Sequence, residues 1–121
     1  MNKYIYFLFL LLASTLTQAD NKISNNQFEG VFIGCLTLDS SSKKLQCLNN
    51  IHTLIKDKIN TNVNYLNKRD RVYYLNTKAL ELKINQNKCH NSSTSSISIK
   101  KCSINYDLMA LNYLSERYSN D

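Results

Sequence analysis

From residue 35 onward the chain contains neither proline nor glycine, and Gly30 and Gly34 are the only glycines in all 121 residues. These two residue types are the strongest local punctuators of regular structure. Without them, everything after Ser42 is free to be helical. The stretch before it, FEGVFIGC (residues 28–35), is apolar and β-leaning but too isolated to found a sheet. It reads as an extended lead-in that packs against helices.

The apolar residues then follow a helical period. DSSS ahead of the first run supplies good N-cap chemistry, with Ser40 or Ser41 as the cap. Leu45, Leu48, Ile51, Ile55, Ile59, Val63 and Leu66 recur every three or four residues, which makes one stripe on a long helix. Near NKRD (residues 67–70) the phase changes, and Asp70 is a candidate cap for a second helix. Its expected stripe is Val72, Leu75, Ala79, Leu82 and Gln86, with Tyr73, Leu80 and Ile84 beside it. HNSSTSS is a loop by composition. A last helix from about Ser103 carries Ile104, Leu108, Leu111, Leu114 and Tyr118, flanked by Tyr106 and Tyr113. Three striped helices with short connections give an all-α fold, a small helical bundle of about three helices with an extended N-terminal lead-in.

The amino terminus has the plan of a secretory signal peptide. Lys3 precedes an unbroken apolar run, IYFLFLLLA, and STLTQA then places Ala19 just before a cleavage point at Asp20. A membrane-crossing helix needs about 20 apolar residues; this run is shorter, so cleavage leaves no stable membrane anchor. Residues 1–19 are therefore expected to be the signal peptide and residues 20–121 a single domain, periplasmic or secreted. All four cysteines, Cys35, Cys47, Cys89 and Cys102, lie in that domain. An even number in a small exported chain reads as two disulfides. A domain of this size sits at the low end for burying a sufficient core alone.

Chemistry is sparse. Zinc prefers closely spaced cysteine pairs completed by histidine, and here the spacings are long, so no metal or other cofactor is expected. Cys89 and His90 are sequence neighbours, but successive helical residues point about 100° apart, which argues against a nucleophile–base pair. His52 reads as a solvated histidine on the polar border of the first long helix. The carboxylates are few and unpaired, no glycine-rich phosphate loop is present, and the chain is expected not to be an enzyme. NKRDRVYYLN mixes cations with Tyr73 and Tyr74, yet Asp70 interrupts the charge and export removes most nucleic-acid partners, so no nucleic acid is expected.

With the cysteines placed on the helix map, the chain resembles the LprI-type lysozyme-inhibitor domain, a small exported helical domain of bacteria. The resemblance covers about residues 34–118. Cys35 and Cys47 match the spacing of the first cysteine pair of the family, Ile59 and Val63 stand where it usually has Leu and Tyr, and Leu82 and Ile84 occupy the apolar positions before its third cysteine, here Cys89. Cys102 opens its last helix. The chain departs from the family at Ser40 and Lys43, where a Thr-x-x-Glu is usual, and at Lys78, Glu81 and Asn85, where Gln, Trp and Arg are usual. Four cysteines allow three pairings, and locality favours Cys35–Cys47 and Cys89–Cys102.

The resemblance implies a binding protein that inhibits a lysozyme-like cell-wall hydrolase. Removing Lys3 with the leader leaves 14 basic against 9 acidic residues, a net charge of +5, which would repel a cationic lysozyme unless the target is acidic or an acidic patch near Asp107 and Glu116 eases the encounter. The alternative is a structural or surface-interaction protein whose cations engage wall polymer or anionic lipid. The expected partner-binding element is a disulfide-closed loop over residues 90–101, with His90 and Asn91 at one end and Lys100 and Lys101 at the other.

Overall fold

The computed structural model describes the backbone of residues 25–92 and 94–119 and the side chains through Arg117, and every regular element among them is helical. The expected signal peptide and its expected cleavage point at Ala19 and Asp20 lie outside the described residues. The helices are α1 (Asn25–Leu36), α2 (Ser41–Tyr65), α3 (Lys68–Tyr73), α4 (Ala79–Ser92) and α5 (Ser96–Ser119), with a π-helical turn, Tyr74–Lys78, joining α3 to α4. The fold is an all-α, disulfide-stapled helical bundle. The chain forms two compact units, one ending at Ile51 and one beginning at His52, so α2 runs through both.

In the first unit the expected extended lead-in is instead helix α1. Phe28, Phe32 and Cys35 fall at i, i+4 and i+7 and are all buried. That single apolar face outweighs the β-leaning local composition, since packing of an amphipathic face decides helix formation more than propensity does. Nothing requires glycine at position 30, since a Cβ there would meet nothing within 4 Å, and the helix carries the ordinary cost of a glycine, about 1 kcal/mol relative to alanine. The helix ends where the Thr37 backbone N–H and the Thr37 hydroxyl both donate to the Gly34 carbonyl, at 3.1 and 2.7 Å. Four residues later α2 begins, with Ser40 Oγ accepting from the Lys43 N–H at 3.1 Å, the expected cap. Cys47, Leu48 and Ile51 complete this core, and a Cys35–Cys47 bridge with a Cα–Cα distance of 5.4 Å ties the two helices.

In the second unit the expected α2 stripe continues, with Ile55, Ile59, Val63 and Leu66 all buried. The C-terminal carbonyls of α2 are satisfied by Arg71, whose Nη2 donates to Asn64 O and Leu66 O at 3.0 Å each. The cap of α3 is Asn67 rather than Asp70. Asn67 Oδ1 accepts from the Asp70 N–H at 2.8 Å, the N-cap bond, and Asn67 Nδ2 donates to the Asp70 carboxylate at 3.1 Å, which holds the cap side chain in place.

The stripe expected on the second helix holds beyond the π turn, where Ala79, Leu82 and Gln86 are part-buried, and fails before it. Val72 and Leu75 are half exposed, whereas Tyr74 is 4% exposed. The π turn inserts an extra residue into the helical repeat and shifts the phase between α3 and α4; within α4 Cys89 is buried, and Leu80 and Ile84, expected beside the stripe, face solvent. The last helix starts seven residues earlier than expected, at Ser96. Ser95 Oγ accepts from the Ser98 N–H at 3.3 Å as its cap. Ile104, Leu108, Leu111 and Leu114 are buried as expected on α5, the side chain of the fifth expected member, Tyr118, lying outside the described residues, and Cys89–Cys102 joins α4 to α5 with a Cα–Cα distance of 5.7 Å.

Both bridges are the local ones, and two formed disulfides indicate an oxidising compartment. No helix among the described residues is long and apolar enough to cross a membrane.

Candidate functional site

The polar residues of interest all lie in the second unit. His52, expected to be solvated, is 4% exposed, and Asp107, expected on an acidic patch with Glu116, is 3% exposed. Each supplies what burial of the other requires. Asp107 sits one turn from Ile104 and one turn from Leu111 on the same face of α5, so the helix that buries those two apolar residues carries its carboxylate inside as well.

There Asp107 Oδ2 meets His52 Nε2, and Asp107 Oδ1 accepts from Gln86 Nε2 on α4 at 2.8 Å. The other imidazole nitrogen, His52 Nδ1, lies 3.3 Å from Lys100 Nζ. An ammonium has no lone pair, so Nδ1 accepts from Lys100 and the Nε2 proton is donated to Asp107. Three helices thus contribute to one polar chain, Lys100–His52–Asp107–Gln86.

Two further groups feel this chain. Burial, and then the Asp107 charge, push the Tyr74 phenol above its ordinary range. Lys100 is half-buried, and burial followed by repulsion from Lys56 lowers its pKa, with Asp107 pulling the other way.

Beside the chain, α4 and α5 leave a surface groove of about 220 Å³. Tyr74, Tyr106 and Tyr113 form its aromatic wall with Leu82, Met109 and Ala110, and Lys78, Glu81 and Asn85 bring polar groups to it. Tyr74 and Tyr113 stack with ring centroids 6.3 Å apart. Cations bracket Tyr113, with Lys78 Nζ 5.3 Å and the Arg117 guanidinium 4.9 Å from its centroid. Lys78 also reaches Glu81 at 3.5 Å.

The segment expected as a binding loop over residues 90–101 is mostly helix. His90 and Asn91 are exposed on the last turn of α4, Lys100 and Lys101 belong to α5, and only residues 93–95 connect the two helices. Lys101 is exposed, whereas Lys100 is turned towards His52. Cys89–Cys102 fixes this corner. No cluster of three or more His, Cys, Asp or Glu suited to a metal occurs among the described residues.

Neither the His52–Asp107 pair nor the groove was visible in the sequence. The partners are 55 residues apart, and the groove depends on a phase change that composition does not announce. The one signal for Asp107 was its place on the apolar stripe of α5, a carboxylate that such a position buries only with a partner.

No family model, curated protein or solved structure matches the chain.

Proposed function

We propose that the chain is an exported binding protein, periplasmic or secreted, that inhibits a lysozyme-like cell-wall hydrolase. The observation that carries this reading is the groove. Lys78, Glu81 and Asn85, the three positions at which the chain differs from the Gln, Trp and Arg of the LprI-type domain, line one surface depression together. The polar residues usual in that family would therefore be replaced as a group at one place.

Aromatic side chains edged by charged and amide groups are the composition of a protein-contact surface. Tyr113, held by stacking on the buried Tyr74, loses little freedom on binding, which favours affinity. The polar corner at His90, Asn91 and Lys101, held by Cys89–Cys102, adjoins the same two helices as a second contact area. Binding of this kind requires no cofactor and no metal. Burial of Asp107 removes the acidic patch that would have eased approach to a cationic lysozyme, so the net +5 charge favours a hydrolase with an acidic contact face.

The test is a lysis assay in which the oxidised mature protein is titrated against lysozymes of different charge. Dose-dependent inhibition, strongest for acidic enzymes and lost in K78A/E81A, supports the reading; no inhibition across the series overturns it. The net positive charge favours a second reading, a surface protein that engages wall polymer or anionic lipid without inhibiting. Charge-driven binding fades between low and physiological salt, while a shape-matched complex persists.

A further inference from the structure

The Lys100–His52–Asp107 arrangement has the connectivity of a nucleophile, a base and a carboxylate that orients the base, with an amine in the nucleophile position. We propose that Lys100 is the reactive amine of this chain, a covalent site for small aldehydes. The inference is independent of the inhibitor reading and concerns one adduct per chain rather than turnover.

The geometry makes the case. Lys100 Nζ lies 3.3 Å from His52 Nδ1, within reach of proton transfer. The opposite ring nitrogen is hydrogen-bonded to Asp107, so an imidazolium formed by that transfer is stabilised by a carboxylate already in place. Asp107 is itself oriented by Gln86 at 2.8 Å. His52 and Asp107 are buried, which holds the base in a single orientation, whereas Lys100 is only half-buried and stays within reach of a small molecule. The titratable groups around Lys100 are His52 and Lys56 on α2 and Asp107 on α5, with Tyr74 beyond Asp107. Partial desolvation and a neighbouring cation are the two influences that activate lysine amines towards carbonyls, and both act here to hold Lys100 below the ordinary lysine range.

The chemistry balances without any further reagent. His52 Nδ1 takes a proton from the Lys100 ammonium. The freed nitrogen lone pair forms a C–N bond to the aldehyde carbon, and the carbonyl π pair moves to oxygen. That oxygen collects the proton from the imidazolium, and a second proton leaves nitrogen to solvent. The nitrogen lone pair of the carbinolamine then expels hydroxide, which takes the remaining N–H proton and leaves as water, and the product is the imine, whose net composition is amine plus aldehyde minus one water. Hydrolysis reverses the step.

The experiment treats the oxidised mature protein with limiting acetaldehyde and cyanoborohydride at neutral pH and maps the alkylated lysines by mass spectrometry. Acetaldehyde is uncharged, so simple attraction to cations does not bias the result. Lys100 should be labelled at least about tenfold faster than its exposed neighbour Lys101, a fraction of what a positioned base contributes in an active site. Its rate should level off at lower pH than that of Lys101. K56A, an exposed change that leaves the core alone, should reduce the preference, and H52N should abolish it. Should H52N fail to fold, the wild-type pH profile and K56A decide the matter. A lysine held only as a structural ammonium would react more slowly than Lys101, and equal or slower labelling of Lys100 overturns the proposal.

Discussion

His52 and Asp107 form a buried hydrogen-bonded pair between α2 and α5, each less than 5% exposed. Taking two such groups out of water is costly, and each is tolerated because the other is there. Removing one partner leaves the other stranded. D107A is expected to destabilise the fold by about 3–5 kcal/mol, while the double replacement H52L/D107L should recover much of that loss. Urea unfolding of H52L, D107L and H52L/D107L measures the coupling, and strictly additive losses would contradict a buried pair.

The two disulfides should contribute comparably. They join cysteines 12 and 13 residues apart, and loop closure at that length is worth roughly 3 kcal/mol in the chain-entropy model. Replacing either pair by alanine should lower the unfolding free energy by similar amounts, read as matching shifts of the urea midpoint. A large difference between the pairs would show that strain or residual structure, rather than loop entropy, sets the balance.

Core truncations should separate the buried stripes from the exposed face of α4. I104A and L111A remove fully enclosed side chains and should cost about 2–5 kcal/mol each. L80A and I84A act on residues more than half exposed and should fall within about 0.5 kcal/mol of wild type. Thermal melts of the four variants suffice to check the contrast.

Tyr74 gives a pH signature. Its folded pKa is raised by burial and by Asp107, so above the ordinary tyrosine range the unfolded chain releases a proton that the folded chain retains. Its contribution to stability is therefore fully present below about pH 10 and declines as pH rises towards the folded value. In a phenolate absorbance titration, one tyrosine should ionise later than the others, and Y74F should remove that late component. An unchanged curve would place the late group elsewhere.

Much of this was readable in advance. The stripes of α2 and α5 follow a 3.6-residue period with apolar side chains at nearly every buried position, and such segments announce both their structure and their buried face. Helix α1 was hidden because Phe28, Val31, Phe32 and Ile33 favour extended backbone locally, while the face that decides the matter comprises only three residues. The start of α5 was hidden by a serine-rich run that resembles a loop by composition, although its Ser95 serves as a cap. The His52–Asp107 pair illustrates a different limit. Two polar residues on separate helices have no local signature, and only packing brings them together.

The π turn also governs which changes in chain length the protein tolerates. Tyr74 is buried at the start of the turn and Cys89 is bonded to Cys102 beyond it, so the angular offset between these positions is set by the number of residues separating them. Deleting one residue there would rotate everything downstream by about 100° about the helix axis. Either Cys89 would swing away from its partner or Tyr74 would leave the core. Exposed positions in this segment should accept exchanges of side chain freely, whereas the loss or gain of a single codon should be selected against.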